Sequence, residues 1–251
     1  SGAVVRQVLL SAGAEESQIM AKLQPIATDM HALGNPWISY SVYLNNSFLP
    51  GLLQLMILLV TVFSIGSEMK RATSREWLRT ADDSIIIAIT GKLIPQTIIF
   101  FSMGLLYLSL LYGYLHFPMH NSIWHMIFAM FLLVVASQSF AVIIMCFAPS
   151  LRIGLSVGGL VGVLSLSIAG FSFPVPAMYL PFQAISYVLP VRHYFLIYVD
   201  QALNGIPLYY SRVHYVALIL FAVASTPLLP RLKKALMRQV SVSYTHLRAH
   251  E

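Results

Sequence analysis

Charge is scarce in this chain. Asp, Glu, Lys and Arg make up only 10% of its 251 residues against 58% hydrophobic residues, and the mean hydropathy of +0.76 lies well above that of a water-soluble domain of this size. Cysteine is nearly absent: Cys146 stands alone inside an apolar run, which excludes an intrachain disulfide and a thiolate metal cluster. The alternating apolar and polar pattern of a membrane β-barrel is missing as well. So is a P-loop, because "TGKL" at 90–93 lacks the glycine spacing that lets backbone N–H groups cradle phosphate. What the chain does have is a series of apolar runs of the length that crosses a bilayer as a helix, so the expected fold is an all-α, polytopic membrane bundle.

Five spans are expected, over about 48–66, 93–115, 123–147, 153–172 and 213–230. Gly91, Lys92 and Pro95 are read as opening the second, with proline in a first helical turn whose N–H groups have no partner anyway. Between the fourth and fifth spans, residues 173–205 are apolar but cut by Pro174, Pro176, Pro181 and Pro190 into pieces too short to cross. They are read as two short helices in or on the membrane. Lys and Arg set the orientation. Lys70, Arg71, Arg75, Arg79 and Lys92 follow the first span, Arg152 follows the third, and Arg231, Lys233, Lys234 and Arg238 follow the fifth; the other side has only Arg192 and Arg212 after residue 48. The positive-inside rule places the charged stretch 67–83 in the cytoplasm.

A cytoplasmic C-terminal end after five spans puts residues 1–47 outside, as the remnant of an extracytoplasmic domain. The expectation is that an upstream helix precedes this segment, a mature terminus after signal cleavage being the alternative. Residues 241–251, "SVSYTHLRAHE", share neither the apolarity nor the basic pattern before them and are read as a non-native tail.

Within 67–83, Arg71, Arg75 and Arg79 recur every four residues, which on a continuous helix makes one basic face with Met69, Thr73 and Trp77 opposite. Such a segment would lie under the bilayer with Trp77 inserted. On periodicity alone a basic anchor for acidic lipid accounts for it. The wider order of residues points further. Phe48, Pro50 and Gly51 entering a span, then Glu68, Lys70, Arg71, Thr73, Glu76 and Leu78, then Gly91 and Lys92 before the next span, and finally the Pro-broken external segment, together resemble the ABC-2 type permeases, the membrane subunits of ABC exporters. The resemblance covers about 20–235.

The resemblance implies that Glu68, Lys70, Arg71, Arg75, Glu76, Trp77 and Arg79 form a coupling segment resting on a separate P-loop ATPase subunit. It implies a second permease subunit, identical or not, and a lipid environment in a bacterial inner membrane, with no nucleic acid. It also implies ATP-Mg on the partner, no cofactor on this chain and an unidentified cargo. Lys92 is read as snorkelling to the interface in preference to pairing internally. Gly154, Gly158 and Gly162 form a small-residue face for a subunit contact or for packing within the chain. Arg192, His193 and Asp200 are candidates for an external gate, with a surface anchor as the plainer reading, and Gln138 is read as joining helices. His116, His120, His125 and His193 lack the carboxylates that a metal centre needs, so no metal site and no catalytic residue is expected. The alternative function is a membrane-embedded transferase acting at the external face through His116, His120 or His193.

Overall fold

The computed structural model describes residues 40–171 and 173–248, with side chains over 44–238 apart from 172. Expectations for 1–39 and 249–251 fall outside the described residues. The elements are α1 Tyr40–Lys70, α2 Ser74–Arg79, α3 Ile85–Leu108 running into a π turn Ser109–Tyr114, α4 Ile123–Phe147, α5 Leu151–Ile168, α6 Leu180–Tyr187, α7 Pro190–Tyr198 running into a π turn Val199–Leu203, α8 Leu208–Val223 and α9 Leu229–Arg248. Short 3-10 turns precede α6 and α9. No strand occurs among the described residues. Five stretches are long and apolar enough to cross a membrane: Leu44–Lys70, Ile85–Tyr114, Ile123–Phe147, Leu151–Ile168 and Leu208–Arg238. The protein is an all-α, multi-pass membrane protein.

Helix ends differ from the sequence reading where local chemistry overrides a breaker. α3 starts at Ile85, not near 93, because Ser84 caps it by accepting a hydrogen bond from the Ile87 N–H at 3.5 Å. Pro95 therefore lies in the helix interior and not in its first turn. The carbonyl it leaves without a helical partner belongs to Gly91, which borders open space: a methyl group added there would meet nothing within 4 Å. α1 likewise begins at Tyr40 and carries Pro50 inside it. Its first half is tied to α3 and the π turn after it: Tyr107 Oη donates to the Asn45 carbonyl at 3.1 Å and Tyr112 Oη to Asn46 Oδ1 at 2.9 Å. α9 continues as backbone helix through 241–248.

α4 is the central helix, apolar on all sides except at Ser137, Gln138 and Ser139, and serves both halves of the interior. Towards the end that the positive-inside rule makes cytoplasmic, Met145 packs with Leu58, Val62 and Ile65 of α1, Leu78 of α2 and Leu232 and Leu236 of α9. Towards the opposite, external end, Met130 and Leu133 pack with Val191, Tyr194 and Tyr198 of α7 and Leu218 of α8. Apolar burial gives little drive between helices that already lie in hydrocarbon, so close fit and hydrogen bonds must supply it. Small residues give the fit between α1 and α5. A methyl group on Gly66 would sit 3.0 Å from the Leu151 Cα, and one on Gly154 would sit 2.9 Å from Val62 Cγ1. Gly158 faces Val62 and Gly162 faces Leu55, so all three glycines of the α5 stripe face α1 of the same chain. Hydrogen bonds supply the rest: Thr61 to Gln96 at 3.2 Å, Thr97 to Gln138 at 2.8 Å, and Ser139 to Ser225 at 2.9 Å.

Gly66→Val is expected to destabilise the protein by about 1–3 kcal/mol, because the Leu151 backbone cannot give way as a side chain could. Gly91→Ala, with open space around it, is the control expected to be neutral or mildly stabilising. Thermal unfolding of both variants in lipid nanodiscs checks the pair.

Candidate coupling site and external polar cluster

The expected continuous helix through the charged stretch breaks at its middle. Ala72 takes a left-handed conformation with φ of 58°, and two backbone bonds close the end of α1 around it: Thr73 N–H to the Glu68 carbonyl at 3.0 Å and Ala72 N–H to that of Met69 at 3.3 Å. This is the Schellman arrangement, with alanine where glycine usually sits. The end of α2 repeats it. Asp83 N–H bonds the Leu78 carbonyl at 2.9 Å and Asp82 N–H that of Arg79 at 3.2 Å, with Asp82 at φ 50° and Asp83 at φ 55°. Arg71 is thus separated from Arg75 and Arg79, and the row of three on one helix does not exist.

What the break creates is a seated six-residue helix. Leu78 is 0% exposed and Ser74 1%, pressed into the cytoplasmic half of the core, while Arg71, Arg75, Glu76 and Arg79 are exposed. Trp77 packs on the protein's own core. It is half-buried, with Lys92 Nζ 4.4 Å from its ring centroid. Lys92 does not snorkel, because its ammonium has a nearer partner: Nζ lies 2.5 Å from Glu68 Oε1, with the two side chains 19% and 24% exposed. Thr73 Oγ1 donates to the other oxygen, Glu68 Oε2. One carboxylate at the end of α1 therefore holds α3 through Lys92 and the entry to α2 through Thr73. On the far flank, Lys233 Nζ of α9 donates to the Asp83 carbonyl at 2.6 Å. Lys70 stands apart and borders a cavity of about 390 Å³ with Met69, Ser150 and Arg152.

The external candidates form a different kind of cluster. Arg192 is only 8% exposed; its Nη1 donates to the Ala169 carbonyl at 3.1 Å, its guanidinium lies 4.5 Å from the Tyr187 ring, and its Nε has no partner. His193 Nε2 bonds the Tyr187 carbonyl at 3.0 Å, which assigns the proton there and leaves Nδ1 to accept from His214 Nδ1 at 3.4 Å. Burial holds the His193 imidazole below its ordinary pKa, and the nearby His214 and Arg192 push it the same way. Asp200 does not meet Arg192; its Oδ2 accepts from Ser211 at 2.9 Å. His116 and His120 are each bound to a backbone carbonyl, of Tyr114 and Ala202, at 2.9 Å. Among the described residues no three His, Cys, Asp or Glu side chains converge on one point.

A comparison with known families decides what kind of membrane protein carries this arrangement: residues 2–229 match the model described as ABC-2 family transporter protein. The chain belongs to the ABC-2 transporter family. No curated protein and no solved structure matches it. It is accordingly the membrane domain of an ABC-type transporter permease, a family whose members associate with an ABC ATPase subunit.

Of the residues singled out for this permease from sequence, the structure brings Glu68 and Trp77 together around Lys92 and leaves Arg71, Arg75, Glu76 and Arg79 at the surface. Sequence reasoning missed Gln54. It is 1% exposed, donates to Ser165 Oγ of α5 at 3.0 Å and accepts the Val191 N–H of α7 at 2.8 Å. A glutamine in the middle of "LLQLM" is the signal that could have found it, since a polar side chain at that depth needs partners. Gln138 does join helices, through Thr97 and the Leu93 carbonyl.

Two outcomes are expected of this permease. Lys92→Met and Glu68→Gln should each lower the unfolding midpoint, and a double-mutant cycle should return a coupling of about 1–2 kcal/mol, since the pair is short but partly solvated. At the external end, His193 has a depressed folded pKa. The stability of its neutral pair is complete above the ordinary imidazole value of about 6.5 and is lost as pH falls through the lower folded value. The protection factors of 190–203, with the intrinsic pH dependence of amide exchange divided out, should fall on acidification, and His193→Gln should remove that dependence.

Proposed function

We propose that this permease is the membrane subunit of an ATP-driven exporter, moving a cargo outward across a bacterial inner membrane. The stretch 67–83 is the surface on which a separate P-loop ATPase rests, ATP-Mg being bound and hydrolysed on that partner and no cofactor on this chain. The observation that carries the reading is the build of α2: a short helix with a buried inner side, an exposed Arg75, Glu76 and Arg79 outer side, and flanks fixed to α1, α3 and α9. A basic surface of this kind meets acidic groups on a partner and sets orientation and encounter rate more than affinity.

The route for movement runs along α1. Glu68 lies 14 residues from Gln54, about 21 Å along a helix, and Gln54 holds both α5 and the start of α7. Displacement of α2 by the ATPase would shift α1 as a rod and pull on the external helices α6 and α7, where Arg192, His193 and Asp200 border the exit. A second permease subunit, identical or not, would supply the other wall of the path.

Charge reversal at Arg71, Arg75 and Arg79 to Glu tests the docking surface. The expected result is at least a tenfold loss of ATPase co-purification and of cargo-stimulated ATP hydrolysis, with unchanged membrane insertion and unfolding midpoint. Retention of a fully associated ATPase would sink the assignment of 67–83.

A further inference from the structure

Among the described residues Arg192 is the only Asp, Glu, Lys or Arg side chain that is buried, at 8% exposed. A guanidinium offers five N–H donors, and two of its edges carry parallel pairs that match the two oxygens of a carboxylate or phosphate. Here Nη1 is taken by the Ala169 carbonyl at 3.1 Å. The other edge, Nε with Nη2, is vacant: Nε is buried without a partner, and Nη2 bonds no described residue. Asp200, the one described acid after Asp83, accepts from Ser211 instead. One carbonyl and one aromatic ring offset only part of what a buried cation loses with its water, so a charge kept at this position points to an anion that completes it.

The guanidinium is held in place. Tyr187 covers it at 4.5 Å, and the Tyr187 carbonyl is itself fixed by His193 Nε2 at 3.0 Å. Beside Nη1, Gly170 sits at φ 105°, a backbone angle that side chains oppose, and a methyl group there would come 2.7 Å from Nη1 and 2.9 Å from Val175 Cγ2. The turn is thus shaped to admit this side chain. The approach to it lies over α6, where Tyr187 is 56% exposed and Phe182, Ile185 and Val188 are exposed as well. No charged residue occurs from 173 to 191. A fully hydrated ion would have to shed its water against that apolar rim. The head of an amphiphile reaches the cation while its tail stays on the rim.

We propose that the vacant Nε–Nη2 edge of Arg192 binds the oxyanion head, carboxylate or phosphate, of an amphiphilic cargo whose apolar tail lies along Phe182, Ile185 and Tyr187. The site itself rests on the geometry around Arg192; that its ligand is the cargo rests on the exporter reading. The Tyr187 ring, more than half exposed, is the part that turns aside to admit the head, and the Ala169 carbonyl keeps the guanidinium oriented while it does.

Binding of tritiated dodecyl phosphate to the full chain in phosphatidylcholine nanodiscs, corrected for uptake by empty nanodiscs, tests it. The wild-type protein should bind the probe saturably, and Arg192→Gln should weaken binding at least tenfold, about the loss expected for one charged partner of a buried pair. Arg192→Lys, which keeps the charge without the fork, should weaken it about threefold or more, and carries the test if the glutamine variant does not fold. Arg212→Gln, which removes an exposed cation stacked on Tyr209, should leave binding unchanged. Equal binding by Arg192→Gln and Arg192→Lys to that of the wild type, or equal competition by dodecyltrimethylammonium, would overturn the proposal. So would full displacement by inorganic phosphate at the concentration of the probe, which makes this a site for a soluble anion, and loss of probe binding in phosphatidylglycerol nanodiscs, which gives the edge to a bilayer lipid. The measurement needs no ATPase: if the charge-reversed permease keeps its ATPase while the wild type binds the probe through Arg192, the site stands and only the docking assignment of 67–83 falls.

Discussion

The contact on which the cytoplasmic half depends is that between Glu68 and Lys92. Each residue ends or enters a span, and each alone would be an expensive charge at the edge of hydrocarbon. Together they fix the spacing of α1 and α3, and the carboxylate's second oxygen fixes the turn at Thr73. α2 then has its place: the chain between two anchored helix ends is short, and Leu78 completes the core beneath it. Trp77 covers the ammonium from the side and reduces its access to water. The exposed residues of α2 owe their presentation to a pair that is itself mostly hidden.

A bilayer makes polar side chains decide how helices meet, and in this permease they do so at graded depth. Ser139 with Ser225, Thr97 with Gln138, Thr61 with Gln96 and Gln54 with Ser165 join five spans without a charge among them. The glycine face of α5 lets α1 come close enough for Gln54 to reach across to Ser165 and to the α7 N-terminus. Packing and hydrogen bonding are therefore not separate contributions at the α1–α5 contact. The small residues set a distance at which a glutamine can satisfy two helices at once.

The all-α class, the five spans and the two short helices between the last two of them were legible from apolar run length and proline spacing, both of which the bilayer imposes directly. The boundaries near Ile85 and Tyr40 were not, since Pro95 and Pro50 look like breakers until the local partners of the helix are known. The fourfold spacing of Arg71, Arg75 and Arg79 suggested one face, yet periodicity carries no information on a left-handed Ala72, a residue with no particular taste for that conformation. Nor could spacing alone pair Glu68 with Lys92 across 24 residues, or show that Arg192 and Asp200 turn to different partners. Those outcomes depend on which helices become neighbours.

The left-handed Ala72 has a mechanical meaning. When elements are linked in series, the softest one absorbs most of an imposed displacement and the stiffer ones pass it on. A glycine at that joint would visit many backbone angles at little cost, and a push on α2 would be spent in rotating the joint. Alanine has a narrow left-handed well and steep walls around it, so the strain of adopting it is exchanged for stiffness. At the joint between the surface helix and the long rod of α1, a single methyl group thus adds stiffness to what the two closing backbone bonds already supply.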